Sequence, residues 1–153
     1  MALTTFTFNI AKGRAAEFYN RVDSNDPANS ALVAMLIAST ASDATIKDLD
    51  SFAAIESDGD TAEITNSGYA RVVLTDSDLS ALTIDDTNDR VDLDIPDLEF
   101  GTIASGTNPT NVIIGYDSDT TGGTDSNIIP ISCHAFGITP NGTPVTAVIG
   151  ANG

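Results

Sequence analysis

Eight consecutive apolar residues, Ala31 to Ala38, place the strongest constraint on how this chain folds. The run is apolar on every side, so its periodicity does not separate a buried strand from a buried helix. Its length is typical of a strand, and Ser30 and Ser39 bound it. We therefore predict a central strand at this position.

Residues before the run have the spacing of a helix. Ala15, Phe18 and Val22 recur at intervals of three and four residues, which predicts a short amphipathic helix over residues 13–22. The helix is expected to end before Pro27, because the residue preceding a proline avoids helical backbone angles.

A second helix is predicted over residues 46–55, after the apolar run. Ile46, Leu49 and Phe52 have helical spacing, and Thr45 followed by Asp48 resembles a weak capping box. Beyond this helix the periodicity changes from 3.6 to 2, which is typical of β-structure.

Alternating or compact apolar segments, separated by Gly, Pro, Asn and Asp, predict further strands. In the clearest of them Val91, Leu93 and Ile95 are expected to point inward and Asp92 and Asp94 outward. The predicted fold is a single domain over residues 1–153, mainly β, an antiparallel β-sandwich or jelly-roll-like domain with one or two short helices in its N-terminal third. The predicted strands are Met1–Ile10, Ala70–Leu74, Arg90–Asp97, Val112–Tyr116, Ile128–Phe136 and Val145–Ile149.

The charge of the chain is strongly acidic, with 22 Asp and Glu against 6 Lys and Arg and a formal net charge of -16. Such a balance opposes binding to nucleic acid and to anionic membranes, so neither is expected as a partner. No apolar run is long enough to cross a bilayer. The first ten residues lack the basic and long apolar regions of a signal peptide.

The C-terminal segment, residues 126–153, contains no Asp, Glu, Lys or Arg. One interpretation is two buried strands joined by turns. The other is that part of the segment faces another protein chain, because the centres of interfaces are depleted in charged residues.

Catalytic groups are scarce. Cys133 and His134 are the only cysteine and histidine, and neighbours on a strand point to opposite faces, so they are poorly placed to act as a dyad. We expect a partly buried structural histidine, no zinc site and no enzyme activity. No cofactor is expected apart from a calcium ion.

The calcium hypothesis concerns Asp117, Asp119 and Asp125. With Thr121 they occupy positions 1, 3, 5 and 9 of a loop similar to that of an EF-hand, and Gly122 is at position 6. Position 12 is not the bidentate Glu, and the flanking residues have strand patterns. The alternative is a polar hairpin whose side chains bond to their own backbone.

A second acidic stretch runs from Asp85 to Arg90. It is interpreted either as a solvated face, with Arg90 paired to Asp86, Asp89 and Asp92, or as an acidic patch that meets a basic partner. Such a patch would increase the association rate more than the affinity.

Five segments together resemble a widespread group of small structural proteins from tailed bacteriophages. The resemblance extends over nearly the whole chain and implies a virion component, made in the host cytoplasm and assembled on the particle. The group supplies no catalytic residue. The segments are Phe8–Arg14, Tyr19–Val22, Ser24–Val33, Asp85–Arg90 and Tyr116–Asp125.

Within the virion we expect a capsid decoration, or cement, protein that binds the major capsid protein and itself forms a homo-dimer or homo-trimer. A neck, head-fibre or tail-associated protein is the alternative. Outside the virion, the alternatives are a secreted calcium-dependent binding module and an acidic domain from a salt-loving organism.

Overall fold

A computed structural model describes residues 3–150 as ten β-strands, three α-helices and two turns of 3-10 helix, at Asn9–Ala11 and Asp76–Asp78. The helices are α1 (Ala15–Asp23), α2 (Asp43–Ile46) and α3 (Phe52–Glu56). The strands are β1 (Phe6–Thr7), β2 (Ala31–Ser39), β3 (Thr61–Glu63), β4 (Val72–Leu74), β5 (Thr83–Asp85), β6 (Arg90–Asp92), β7 (Leu98–Ile103), β8 (Asn111–Asp117), β9 (Ile129–Ala135) and β10 (Thr143–Ala147).

The main sheet is antiparallel and is built around β2. One edge of β2 pairs with β8 from Ala31 opposite Asp117 to Ile37 opposite Asn111, and the sheet continues through β9 to β1. The other edge of β2 is shared, since β4 pairs with its first half and β3 with its end. The predicted central strand is therefore confirmed.

Both faces of β2 are covered, which explains why its sequence is apolar throughout. Leu32, Ala34 and Leu36 face one core, and Val33 and Met35 face a second core on the opposite side of the sheet. The first core is closed by α1 and by the small sheet of β7 and β10, and the second by the N-terminal segment, α2 and α3. The result is a mainly β, sandwich-like fold with few short helices, as the sequence predicts.

The helix predicted over residues 46–55 is wrong in its bounds, because α2 and α3 replace it. Ser42 and Ser51 cap these helices, and their hydroxyls accept hydrogen bonds from the amides of Thr45 (3.3 Å) and Ala54 (3.2 Å). The predicted capping box at Thr45 is also wrong, since Thr45 lies inside α2.

Two predicted strands are much shorter in the structure. The strand predicted at Met1–Ile10 is reduced to β1, because the chain turns into 3-10 helix directly after Phe8; Met1 and Ala2 lie outside the described residues. The strand predicted at Arg90–Asp97 is reduced to β6, which pairs only with β5 among residues 3–150. Val91 is therefore 48% exposed instead of inward-facing. Strands β3, β5 and β7 are present in the structure and were not predicted from the sequence.

Candidate interaction surface

The three residues of the calcium hypothesis have separate partners. Asp117 Oδ1 accepts a hydrogen bond from the amide of Asp119 (3.0 Å), and Asp119 Oδ1 accepts one from the amide of Thr121 (3.0 Å), as in a polar hairpin. The Asp125 carboxylate instead binds the guanidinium of Arg71 (2.5 Å). Across residues 3–150 no three His, Cys, Asp or Glu side chains converge in the way a metal ion requires.

Arg71 is the centre of a polar cluster that the sequence analysis did not identify. Its Nε and Nη2 bind the two carboxylate oxygens of Glu63, at 2.8 and 2.7 Å. Its Nη1 and Nη2 bind both oxygens of Asp125, and Nη2 also lies 2.6 Å from Oε1 of Glu56. One guanidinium thus joins α3, β3 and the loop before β9. We call these four side chains the Arg71 cluster.

Tyr69 connects the Arg71 cluster to the main sheet. Its hydroxyl donates to Glu63 Oε1 (2.5 Å) and accepts from the backbone amide of Leu36 (3.0 Å). That amide lies in β2 between the stretches paired with β4 and β3. The tyrosine hydroxyl therefore satisfies a backbone donor at the gap between the two strands.

The pKa values of two carboxyl groups in the Arg71 cluster are shifted in opposite directions. Burial raises the pKa of Glu56 to about 7, and the negative charge of Asp125 adds to the rise. Hydrogen bonding to Arg71 lowers the pKa of Asp125. Three carboxyl groups against one guanidinium leave the cluster short of positive charge, so Glu56 keeps its proton to a higher pH than an ordinary glutamate.

The Cys133 and His134 side chains lie on opposite faces of β9, as predicted. Cys133 is buried in the second core, and burial raises the pKa of its thiol to about 12. His134 is an exposed residue with Nε2 2.9 Å from the Ser132 hydroxyl, and neighbouring atoms cover part of its imidazole, in agreement with the prediction of a partly buried histidine. Adjacent atoms still lower the pKa of its imidazole by desolvation.

An apolar groove lies over the first core, between the main sheet and the segment that follows β6. It consists of two adjoining cavities that share Ile114, His134 and Ile149, and the larger has a volume of about 350 Å³. The Tyr19 hydroxyl, 2.6 Å from the carbonyl oxygen of Asp94, holds the segment over the sheet. Further apolar lining comes from Leu93, Ile95 and Ile131 in the larger cavity and Phe136 and Val148 in the smaller.

The hairpin of β5 and β6 stands at one side of the apolar groove. Ile84 and Val91 are directly opposite each other and so share one face of the hairpin, where they are 72% and 48% exposed. Arg90 pairs with Asp85 (3.2 Å) and with Asp92 (2.9 Å). The predicted local pairing of Arg90 therefore includes Asp92, and Asp85 is a partner that the sequence analysis did not predict.

The uncharged C-terminal segment is partly buried and partly exposed. β9 lies inside the main sheet, whereas β10 pairs only with β7 within residues 3–150. Roughly half of residues 126–150 are exposed, including Val148 at 78%. The exposed residues of this segment therefore carry no charge of their own, whereas exposed Glu99 of β7 lies opposite Thr146 of β10.

Comparison with protein-family models, with curated proteins and with solved structures finds no match to this chain. Among the described residues, no helix has both the length and the hydropathy of a membrane span. Inference about function therefore depends on the surfaces described above.

Proposed function

We propose that this protein is a capsid decoration protein of a tailed bacteriophage, which binds the outer capsid surface and bridges neighbouring major capsid subunits. The observation that carries the proposal is the uneven distribution of charge along the chain. Residues 126–150 are half exposed without one charged side chain, whereas the whole chain has a net charge of -16. The resemblance of five sequence segments to phage structural proteins supports the same function.

The uncharged exposed residues of 126–150 suit a chain-to-chain contact, because desolvating charged groups opposes association. Within residues 3–150 β10 pairs only with β7, so its other edge is available to a second strand. We propose that copies of this chain form a closed dimer or trimer through that edge. The acidic remainder of the surface would then cover the outside of the particle and keep particles apart.

The proposed role is mechanical. A specific contact with the capsid needs a buried area on the order of 1,000 Å² or more for each copy. Many copies around a closed shell act together, since a copy linked to its neighbours rebinds at high effective concentration. Particles without the protein should therefore assemble but lose their DNA more easily.

The test compares particles made with and without this gene. Genome release on heating is measured by dye fluorescence, and the number of copies per particle is measured on a quantitative gel. We expect release at a lower temperature without the protein, and hundreds of copies when it is present. Equal release temperatures with a dozen copies or fewer would contradict the proposal and favour a neck, head-fibre or tail position.

A further inference from the structure

Exposed apolar side chains are concentrated at the apolar groove. Four large apolar side chains are exposed within residues 3–150, and three of them line the groove or stand beside it. Val91 lines the larger cavity and Val148 the smaller, and Ile84 is opposite Val91 on the same face of the hairpin. The fourth, Val73, is on β4. Exposed apolar area gathered at one groove is typical of a binding surface.

Negative charge is unevenly distributed around the apolar groove. Exposed Asp86, Asp89 and Asp94 belong to the hairpin and the segment after it. Residues 126–150 carry no charge of their own, and the carboxylate beside them is that of Asp97, which accepts a hydrogen bond from the Ile149 amide (2.8 Å). An occupant that complements this distribution is apolar along the groove and basic where it meets the hairpin.

We propose that the apolar groove binds an extended segment of another protein, with alternating apolar side chains flanked by Lys or Arg on the hairpin side. Side chains two residues apart on a strand point the same way and are separated by about 7 Å, which suits two adjoining cavities. The inference rests on the proposed function, since the segment then belongs to the major capsid protein.

A second copy of this chain is a poor occupant. Its hairpin also carries exposed Asp86 and Asp89, so a second hairpin would bring further carboxylates to the acidic side. Arg71 and Arg90, the basic residues nearest in sequence to exposed apolar side chains, are held in ion pairs. Like charges on both partners oppose association.

The experiment uses two valines of nearly equal exposure. Val91→Asp places a charge at the apolar groove, and Val73→Asp places the same charge on β4, where the valine is 47% exposed. Val148→Asp changes the smaller cavity of the groove at a position that is 78% exposed. Each full-length variant is added to particles assembled without the protein, and bound protein is measured after sedimentation. Thermal melting confirms that each variant is folded.

We expect Val91→Asp and Val148→Asp to bind roughly tenfold more weakly or worse, and Val73→Asp to bind like the wild type. Wild-type binding should also weaken as salt is raised from 50 to 300 mM. Equal binding of the wild type and the three variants would contradict the proposed binding at the apolar groove without contradicting the proposed function. Failure of the wild type to bind would overturn both. Self-association of the free protein that Val91→Asp abolishes and Val73→Asp retains would establish a second copy as occupant and overturn the proposal.

Discussion

Arg71 binds both carboxylate oxygens of Glu63, through Nε at 2.8 Å and Nη2 at 2.7 Å. This two-point contact fixes the plane of the guanidinium, so that its remaining donors are directed at Asp125 and Glu56. The negative charges of carboxylates from elements distant in the sequence are thus balanced by one side chain, that of Arg71.

Replacing Arg71 should destabilise the protein strongly. Arg71→Met leaves three carboxylates together without a cation, and we expect a loss of about 2–4 kcal/mol in the free energy of unfolding at pH 7. Arg71→Lys should recover part of the loss, since lysine keeps the charge but not the two-point geometry. Urea denaturation measures both. Arg14→Met is the control, because its ion pair with Glu17 is exposed, and it should cost less than about 1 kcal/mol.

Glu56 should make stability fall as the pH rises from about 4.5 to about 7. Its pKa in the folded state is about 7, against an ordinary value of 4.5, so the folded state holds a proton that the unfolded state has released. Stability decreases with pH wherever the folded state binds more protons. Glu56→Gln should remove this slope and make the variant more stable than the wild type at pH 8.

The control for this comparison is Glu99→Gln, at an exposed position on β7. Urea unfolding at pH 5, 6, 7 and 8 gives the free energy for each variant. The assignment to Glu56 would be wrong if the slope between pH 5 and 7 were the same in Glu56→Gln, Glu99→Gln and the wild type.

The elements that the sequence predicts well are those whose type follows from the pattern of apolar residues within the element itself. The all-apolar run of β2 and the spacing of Phe18 and Val22 in α1 depend only on burial against whatever covers them. The sequence of β7 contains the alternation typical of a strand, since Leu98 and Phe100 are buried on either side of exposed Glu99. Gly101 interrupts that alternation, and the strand was missed.

The candidate site was not predictable in the same way. Arg71 and Asp125 are 54 residues apart and belong to no short motif, so only the tertiary fold brings them together. The strand predicted at Arg90–Asp97 was too long for a related reason. Its alternating sequence predicts a buried face, but within residues 3–150 β6 pairs only with β5, and Val91 is left at the edge of the apolar groove.

Calcium should leave the stability of the protein unchanged. Asp119 is engaged with Thr121 and Asp125 with Arg71, so binding an ion through both would break existing contacts. Thermal melting with millimolar calcium and with chelator should give the same Tm, because only a ligand that prefers the folded state raises it. A rise with calcium that Asp119→Ala removes would support the calcium hypothesis against this arrangement.

Gly68 should be the glycine least tolerant of substitution. An alanine Cβ there would lie 2.0 Å from the Thr102 carbonyl oxygen, and the backbone φ of +83° is unfavourable for any side chain. Hydrogen bonds from Ala104 to Ser67 (2.9 Å) and from Ala70 to Phe100 (3.4 Å) hold the segment against β7 on both sides, so the clash is not relieved by a small shift.

Gly142 provides the matched control, with a φ of +87° and open space around the position of a Cβ. Gly142→Ala should therefore show only the backbone strain, about 1 kcal/mol. Gly68→Ala should add the steric clash and lose about 3 kcal/mol or more, or fail to fold. Urea denaturation of the two variants separates the contributions. Equal losses would mean that β7 moves away from residue 68 at little cost, and that the close approach of Gly68 to Thr102 does not hold the small sheet against the main one.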